Sequence, residues 1–297
     1  MRPFSATFCS ASLNPVSPPV HTRIRDILNI DIKNSVPLSG GCIGDVRAFD
    51  LDDGQRVVVK SGGNRLDLEG WMLTTLKERS VLPVPDVLHS ARDLLVMSYI
   101  ETSGGITAPA EQDAADHLAA LHTVTGDSFG LERNTLIGGL NQPNPQTKSW
   151  VGFFAEHRLL HIATEAHTVG QLPSSLLDRT EALCGRLREW LDEPRAPSLI
   201  HGDMWTGNVL CNGGRIAGFV DPAIYYADPE IELAFTTLFG TFGDTFFARY
   251  AEHRPIAPGF FEPRRGLYTL YPLLVHVRLF GGSYVNSVDA TLRKFGA

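Results

Sequence analysis

The sequence predicts an α+β fold in two lobes: a small N-terminal lobe, residues 21–100, with an antiparallel sheet and one main helix, and a larger, mostly helical C-terminal lobe, residues 101–297. Three observations predict it. Glycine-punctuated and β-branched runs crowd the first third of the chain, from Leu38 to Asp50 and from Gln55 to Lys60. A strand, loop, strand, turn, strand succession occupies residues 198–220, and apolar residues at helical spacing fill most of what remains. At 297 residues the chain is long enough for two lobes with separate cores.

The first twenty residues carry Ser5, Ser10, Ser12 and Ser17 among Pro3, Pro15, Pro18 and Pro19, without the apolar core of a signal peptide, and are expected to be a disordered lead-in. Leu38 to Asp50, with Gly40, Gly41 and Gly44, reads as a glycine-rich hairpin. It is closed by Asp52-Asp53-Gly54 against a strand, Gln55-Arg56-Val57-Val58-Val59-Lys60. The pattern is neither G-x-G-x-x-G nor a Walker A loop, so the glycines alone carry little. Gly62, Gly63 and Asn64 link this strand to a helix on which Glu69, Met72, Leu73 and Leu76 fall at i, i+3, i+4 and i+7 and share a face. A carboxylate on an apolar stripe is costly without a cation, and Lys60 is the cation at hand; a Glu at the stripe's edge reaching solvent is the alternative.

Val81 to Leu88 is a proline-broken extended segment, and Leu94 to Met97 is an apolar strand leading to Ser98, Tyr99 and Ile100. Helical patterns follow over Glu111 to His122, Trp150 to Ala163, Leu176 to Leu191 and Leu267 to Phe280. His122 and His276 lie among apolar neighbours and read as interior histidines, and Phe235, Phe239, Phe242, Phe246 and Phe247 read mainly as packing.

The chemistry is concentrated in Leu199 to Leu210 and in Phe219-Val220-Asp221-Pro222-Ala223. Asp203 stands five residues before Asn208 in an H-x-D-x-x-x-x-N pattern. A strand (Val209 to Cys211), a turn (Asn212-Gly213-Gly214) and a returning strand (Ile216 to Val220) then deliver Asp221 beside Asn208. Moving a phosphoryl group from ATP to an alcohol needs one carboxylate to accept the hydroxyl proton and hard oxygen ligands to hold magnesium against the triphosphate. Asp203 fits the first duty; Asn208 and Asp221 fit the second. Lys60, held by Glu69, fits a phosphate clamp, and the backbone of Ser98 to Ile100 fits an adenine-binding crossing between lobes. Asp, Asn, Gly and Pro also populate ordinary turns, so it is the joint spacing that favours catalysis. His201 reads as an anchor for the loop and Trp205 as packing.

On these residues the chain resembles the fructosamine-3-kinase (ketosamine-3-kinase) family, within the aminoglycoside-phosphotransferase-like kinases and their two-lobed protein-kinase-like fold, from about Ile24 onward. The likeness rests on Gly40-Gly41-Cys42-Ile43, Phe129-Gly130-Leu131, Ile137-Gly138, Gln142-Pro143-Asn144, Trp150-Val151 and Arg158-Leu159. It continues through the His201 to Asn208 motif, Asp221-Pro222-Ala223 with Tyr225-Tyr226, Glu232-Leu233-Ala234, Leu238-Phe239-Gly240, Leu270-Tyr271, His276 and Phe280-Gly281. The resemblance implies ATP- and Mg2+-dependent phosphorylation of the 3-hydroxyl of a ketosamine, free or on protein lysines. It implies Asp203 as proton acceptor, Asn208 and Asp221 as magnesium ligands, Lys60 as phosphate clamp and Ser98, Tyr99 and Ile100 as adenine hinge. Trp205, Tyr225 and Tyr226 are candidates to border the acceptor sugar, whose apolar ring faces suit aromatic surfaces. Glu232 stands where the family usually carries Asp and is expected to face the amides of its own helix's first turn.

A formal charge of −7 and the lack of a lysine or arginine cluster argue against a nucleic-acid surface, and no apolar run reaches membrane-spanning length. A cytoplasmic enzyme, monomeric or dimeric, is the expectation. The four cysteines, Cys9, Cys42, Cys184 and Cys211, show no metal-binding spacing and are expected to be reduced. Cys42, in the glycine-rich loop, is a candidate redox position, with a plain loop residue equally open. Two other functions fit less well: a small-molecule kinase acting on an aminoglycoside, choline or another amino alcohol, and a nucleotide-binding module without turnover.

Overall fold

A computed structural model describes residues 19–38, 45–63 and 65–297. The N-terminal helix α1 (Val20–Leu28) precedes a five-stranded sheet of β1 (Ile32–Pro37), β2 (Asp45–Leu51), β3 (Arg56–Ser61), β4 (Val87–Ala91) and β5 (Leu94–Ser98). The strand order is β1-β2-β3-β5-β4 and every pairing is antiparallel. On β3 the side chains alternate, as a pleated strand demands. Val57 and Val59 pack with Phe49, Leu51, Leu94, Val96 and Ile24 of α1 on one side. Val58 and Lys60 face the other, where α2 (Leu66–Arg79) lies between β3 and β4 in the chain. The Asp52-Asp53-Gly54 turn forms as expected, with Gly54 at φ +88° and the Gln55 amide donating to Asp53 Oδ1 at 2.9 Å.

The larger lobe opens with α3 (Ala108–Leu121) and a hairpin of β6 (Thr135–Ile137) and β7 (Leu140–Gln142). A continuous helical stretch follows, α4 (Trp150–Phe153), wider turns over Phe154–Leu160, and α5 (His161–Thr168), then α6 (Ser174–Cys184). Four short strands, β8 (Ser198–Ile200), β9 (Val209–Asn212), β10 (Arg215–Phe219) and β11 (Tyr225–Ala227), pair as β9 with β10 and β8 with β11. The chain closes with α7 (Glu230–Leu238), α8 (Asp244–His253), α9 (Arg265–Tyr268), α10 (Leu270–Phe280) and α11 (Ser283–Lys294).

Three expectations change. The helix read over Leu176 to Leu191 ends at Cys184, and only a short 3-10 turn at Leu187–Glu189 follows Gly185. Helix α1 begins at Val20, inside the stretch assigned to the lead-in. The lobes do not have fully separate cores, because Met72 and Leu76 of α2, with Leu82, join the large cluster that also holds Leu118, Trp150, Phe219 and Leu274.

Candidate active site

Strand β8 ends at Ile200 and hands the chain to His201, Gly202 and Asp203. Gly202 sits at φ +85° with its α-carbon so near the Ala223 carbonyl that a Cβ would lie 2.1 Å from the oxygen, so only glycine fits there. The loop closes through a 3-10 turn, Thr206–Asn208, and the Asn208 side chain folds back: its Nδ2 donates to the Asp203 carbonyl at 2.8 Å and to Asp203 Oδ2 at 3.1 Å. The β9–β10 hairpin turns at Gly213 and Gly214, both at positive φ, and returns so that the Val220 amide donates to the Asn208 carbonyl at 3.1 Å. Asp221 follows at φ +55°, an uncommon conformation outside glycine, and the Ala223 amide fastens the segment to the His201 carbonyl at 2.8 Å.

From the other lobe Lys60 Nζ donates to Glu69 Oε1 at 2.7 Å and to the Asp221 carboxylate. Burial disfavours the Lys60 charge, but the carboxylates of Glu69 and Asp221 outweigh it and raise its pKa, so it stays an ammonium. Lys60, Glu69, Asp203, Asn208 and Asp221 line one cleft of about 380 Å³ between the lobes. Burial, reinforced by the neighbouring Asp221 charge, pushes the Asp203 carboxyl up to about 7 against the lowering effect of Asn208.

Glu232 supports this loop from below. It is 1 % exposed, and its carboxylate accepts from the His201 amide at 3.2 Å, the Gly202 amide at 2.7 Å and His122 Nε2 at 2.9 Å. The expectation that it faces its own helix is therefore corrected: the helix aims the carboxylate at the His201 and Gly202 amides of the loop after β8. Burial pushes its pKa up, yet His122, His201 and the Gly202 amide prevail and hold it below the usual carboxylate range. His122 is interior as expected, with Nδ1 2.7 Å from the Tyr250 hydroxyl. His201 is fully buried, and that burial lowers its pKa, which keeps it a neutral loop anchor.

A family model described as fructosamine kinase matches residues 21–296. The chain belongs to the fructosamine kinase family. A relative from Synechocystis sp., named a probable ketoamine kinase, is 34% identical over 273 residues, covering 86% of this chain and 88% of that one. A chloroplastic protein-ribulosamine 3-kinase of Oryza sativa subsp. indica is 30% identical over 280 residues, with 88% and 79% covered. A crystal structure of a fructosamine-3-kinase homologue from Thermobifida fusca superposes with TM-score 0.82 at 30% identity, covering 92% of this chain and 98% of that one. An aminoglycoside phosphotransferase, solved with AMP-PNP and hygromycin B, shares the kinase-like fold at TM-score 0.64 and 17% identity, with 94% and 99% covered.

Other residues read from the sequence lie differently in this fructosamine kinase family member. Trp205 lines the cleft. Tyr225 does not: it is 1 % exposed, and the guanidinium of buried Arg158 lies 3.8 Å from its ring centroid, so it belongs to the core and its proposed substrate contact is withdrawn. Tyr226, on the opposite face of β11, packs over Gly126 and is not among the cleft residues. The Ser98 amide donates to the Asp86 carbonyl at 2.8 Å and the Tyr99 amide to the Arg56 carbonyl at 3.3 Å, so neither amide is free for an adenine edge, and Ser98, Tyr99 and Ile100 are not among the cleft residues. Gly40, Gly41 and Cys42 lie outside the described residues. The sequence reading missed Phe235 on α7 and His276 and Phe280 on α10 as cleft residues. His276 is only half-buried, its Nδ1 2.7 Å from the Pro272 carbonyl and its ring 4.9 Å from that of Phe239. The β6–β7 hairpin was also missed, although the Gly138-Gly139 pair is itself a turn signal.

Proposed function

We propose that this chain is an ATP-dependent ketosamine 3-kinase, which transfers the γ-phosphoryl group of ATP to the 3-hydroxyl of fructosamine or ribulosamine adducts of amines, free or on protein lysines. One observation carries the reading: Asp203, Asn208, Asp221 and a carboxylate-held Lys60 face a single cleft. Asp203 accepts the proton of the acceptor hydroxyl as its oxygen bonds to phosphorus; the bond from phosphorus to the bridging β–γ oxygen breaks and ADP leaves. A carboxyl with a pKa of about 7 is well placed for this, since a base works best near the operating pH.

Magnesium fits the donor set. With its Nδ2 bound to Asp203, Asn208 keeps its carbonyl oxygen as a ligand, and Asp221 supplies a carboxylate in the same cleft. Bound there, the ion would neutralise charge on the phosphates. Among the described residues no three His, Cys, Asp or Glu side chains converge as a metal site, in keeping with an ion completed by phosphate oxygens and water. Lys60 steadies Asp221 and is placed to meet the phosphates. Among the described residues the carboxylates lining the cleft are Glu69, Asp203 and Asp221, each with a duty, which leaves none of them to receive a polycation such as an aminoglycoside.

Among the described residues no helix is long and apolar enough to cross a membrane. We place the enzyme in the cytoplasm, as a monomer or dimer without nucleic-acid partners. The test is ATP turnover with fructosyl-lysine and ribulosyl-lysine beside an aminoglycoside and choline, with the phosphate position read by NMR. The expected product is the 3-phosphate of the ketosamine; turnover of choline or the aminoglycoside alone would overturn the assignment.

A further inference from the structure

Gln142, the last residue of β7, is 1 % exposed and takes no part in the chemistry above. Its carboxamide nevertheless joins three walls of the cleft. Nε2 donates to Thr135 Oγ1 within the β6–β7 hairpin at 2.8 Å and to the Ala223 carbonyl at 3.0 Å, while Oε1 accepts from the Tyr271 hydroxyl on α10 at 2.7 Å. The turn of that hairpin lends Gly138 and Gly139 to the cleft, α10 lends His276, and Ala223 stands two residues after Asp221. Ala223 is thus gripped from both sides, its amide on the His201 carbonyl and its carbonyl on Gln142.

Such a grip has a purpose. Asp221 holds a left-handed backbone conformation that is strained for a non-glycine residue and persists only where its surroundings enforce it. The hairpin that presents Gln142 is itself anchored by Arg158, which is fully buried and donates to the Pro143 carbonyl at 2.7 Å and to Asn144 Oδ1 at 2.6 Å. A carboxamide is suited to the joint because it donates and accepts at once; a leucine does neither and an ionised glutamate only accepts.

We propose that Gln142 is a positioning residue that ties the acceptor wall to the Asp221–Ala223 segment, so that the cation-binding carboxylate and the acceptor surface keep one relative geometry. This rests on the kinase reading, and loss of such a supporting contact typically costs about 10–100-fold in metal affinity or activity.

The test compares Gln142→Met with Thr135→Val, which loosens the same hairpin without touching the bond to Ala223. Two readouts are followed: steady-state constants for fructosyl-lysine, and calorimetric affinity for AMP-PNP with and without magnesium. For Gln142→Met the expected result is a loss of about 10-fold or more in acceptor kcat/KM and in the magnesium-dependent part of nucleotide affinity, with metal-free AMP-PNP affinity unchanged. Thr135→Val is expected to lower Tm alone. Wild-type constants in folded Gln142→Met, or equal kinetic losses in both variants, would overturn the proposal. Should Gln142→Met not fold, Gln142→Glu carries the test, since it keeps the acceptor for Tyr271 and loses the donor to Ala223. A wild-type enzyme inactive on ketosamines would instead refute the proposed function, while the calorimetric comparison would still judge Gln142.

Discussion

On the proposed assignment Asp203 is the base and Asp221 a cation ligand, so each substitution should fail in its own way. Replacing Asp203 by Asn keeps the hydrogen-bonding shape beside Asn208 but removes the proton acceptor, so kcat should fall about 10²–10⁴-fold while AMP-PNP affinity stays within twofold. Turnover near the wild-type rate in Asp203→Asn would remove it as the base. Asp221→Asn instead strips a charge from the cation site and from Lys60, and should raise the magnesium concentration for half-maximal activity by about 10-fold or more; an unchanged metal requirement would overturn the ligand assignment. At this scale the Lys60–Glu69 pair was legible because a carboxylate on an apolar helical stripe demands a cation. Tyr225 was not legible, since nothing in Tyr-Tyr says which face of β11 is buried. His276 misled for the opposite reason: its apolar neighbours on α10 pack inward, while the open side next to Phe239 and Trp205 is created by other elements.

Elements place these side chains, and α7 does so through one carboxylate. Glu232 offers acceptors to the His201 and Gly202 amides of the loop after β8 and to His122, all in a dry environment. Glu232→Gln should therefore cost about 3–5 kcal/mol of stability and reduce kcat by loosening the loop. Because its pKa is lowered on folding, this carboxylate stabilises the fold above its unfolded value of about 4.5, and the contribution disappears as pH falls through the folded value. Chemical denaturation at pH 7 and pH 4 should show the gap between wild type and Glu232→Gln narrowing at the acid end, and a gap independent of pH would remove this account. The β9–β10 hairpin was readable from Asn212-Gly213-Gly214, since a tight turn with two positive φ angles needs such residues. The extent of α6 was not, because Leu183, Leu187 and Leu191 are all buried and continue a helical rhythm across Gly185, where the backbone leaves the α-helix.

For the whole molecule, the two lobes are legible as composition but not as a division of the core. Helix α2 belongs to the small lobe by chain order, and its Leu66 and Leu73 pack beneath the sheet with Leu95 and Met97. Its Met72 and Leu76 instead join the large cluster with Leu118, Trp150 and Leu274. The same helix carries Glu69, so the side chain that holds Lys60 is fixed by packing on both lobes. A hinge that melted one lobe would have to pull Leu76, which is fully buried, out of the other. Calorimetry should accordingly show one cooperative unfolding transition in place of two. Leu76→Ala should cost about 2–5 kcal/mol, lowering Tm by about 2 °C or more per kcal/mol, and should shift sheet and helical signals together. Two separated transitions, or a Leu76→Ala effect confined to the sheet, would mean that the lobes fold independently and that the cleft between them is held by Lys60 and its carboxylates alone.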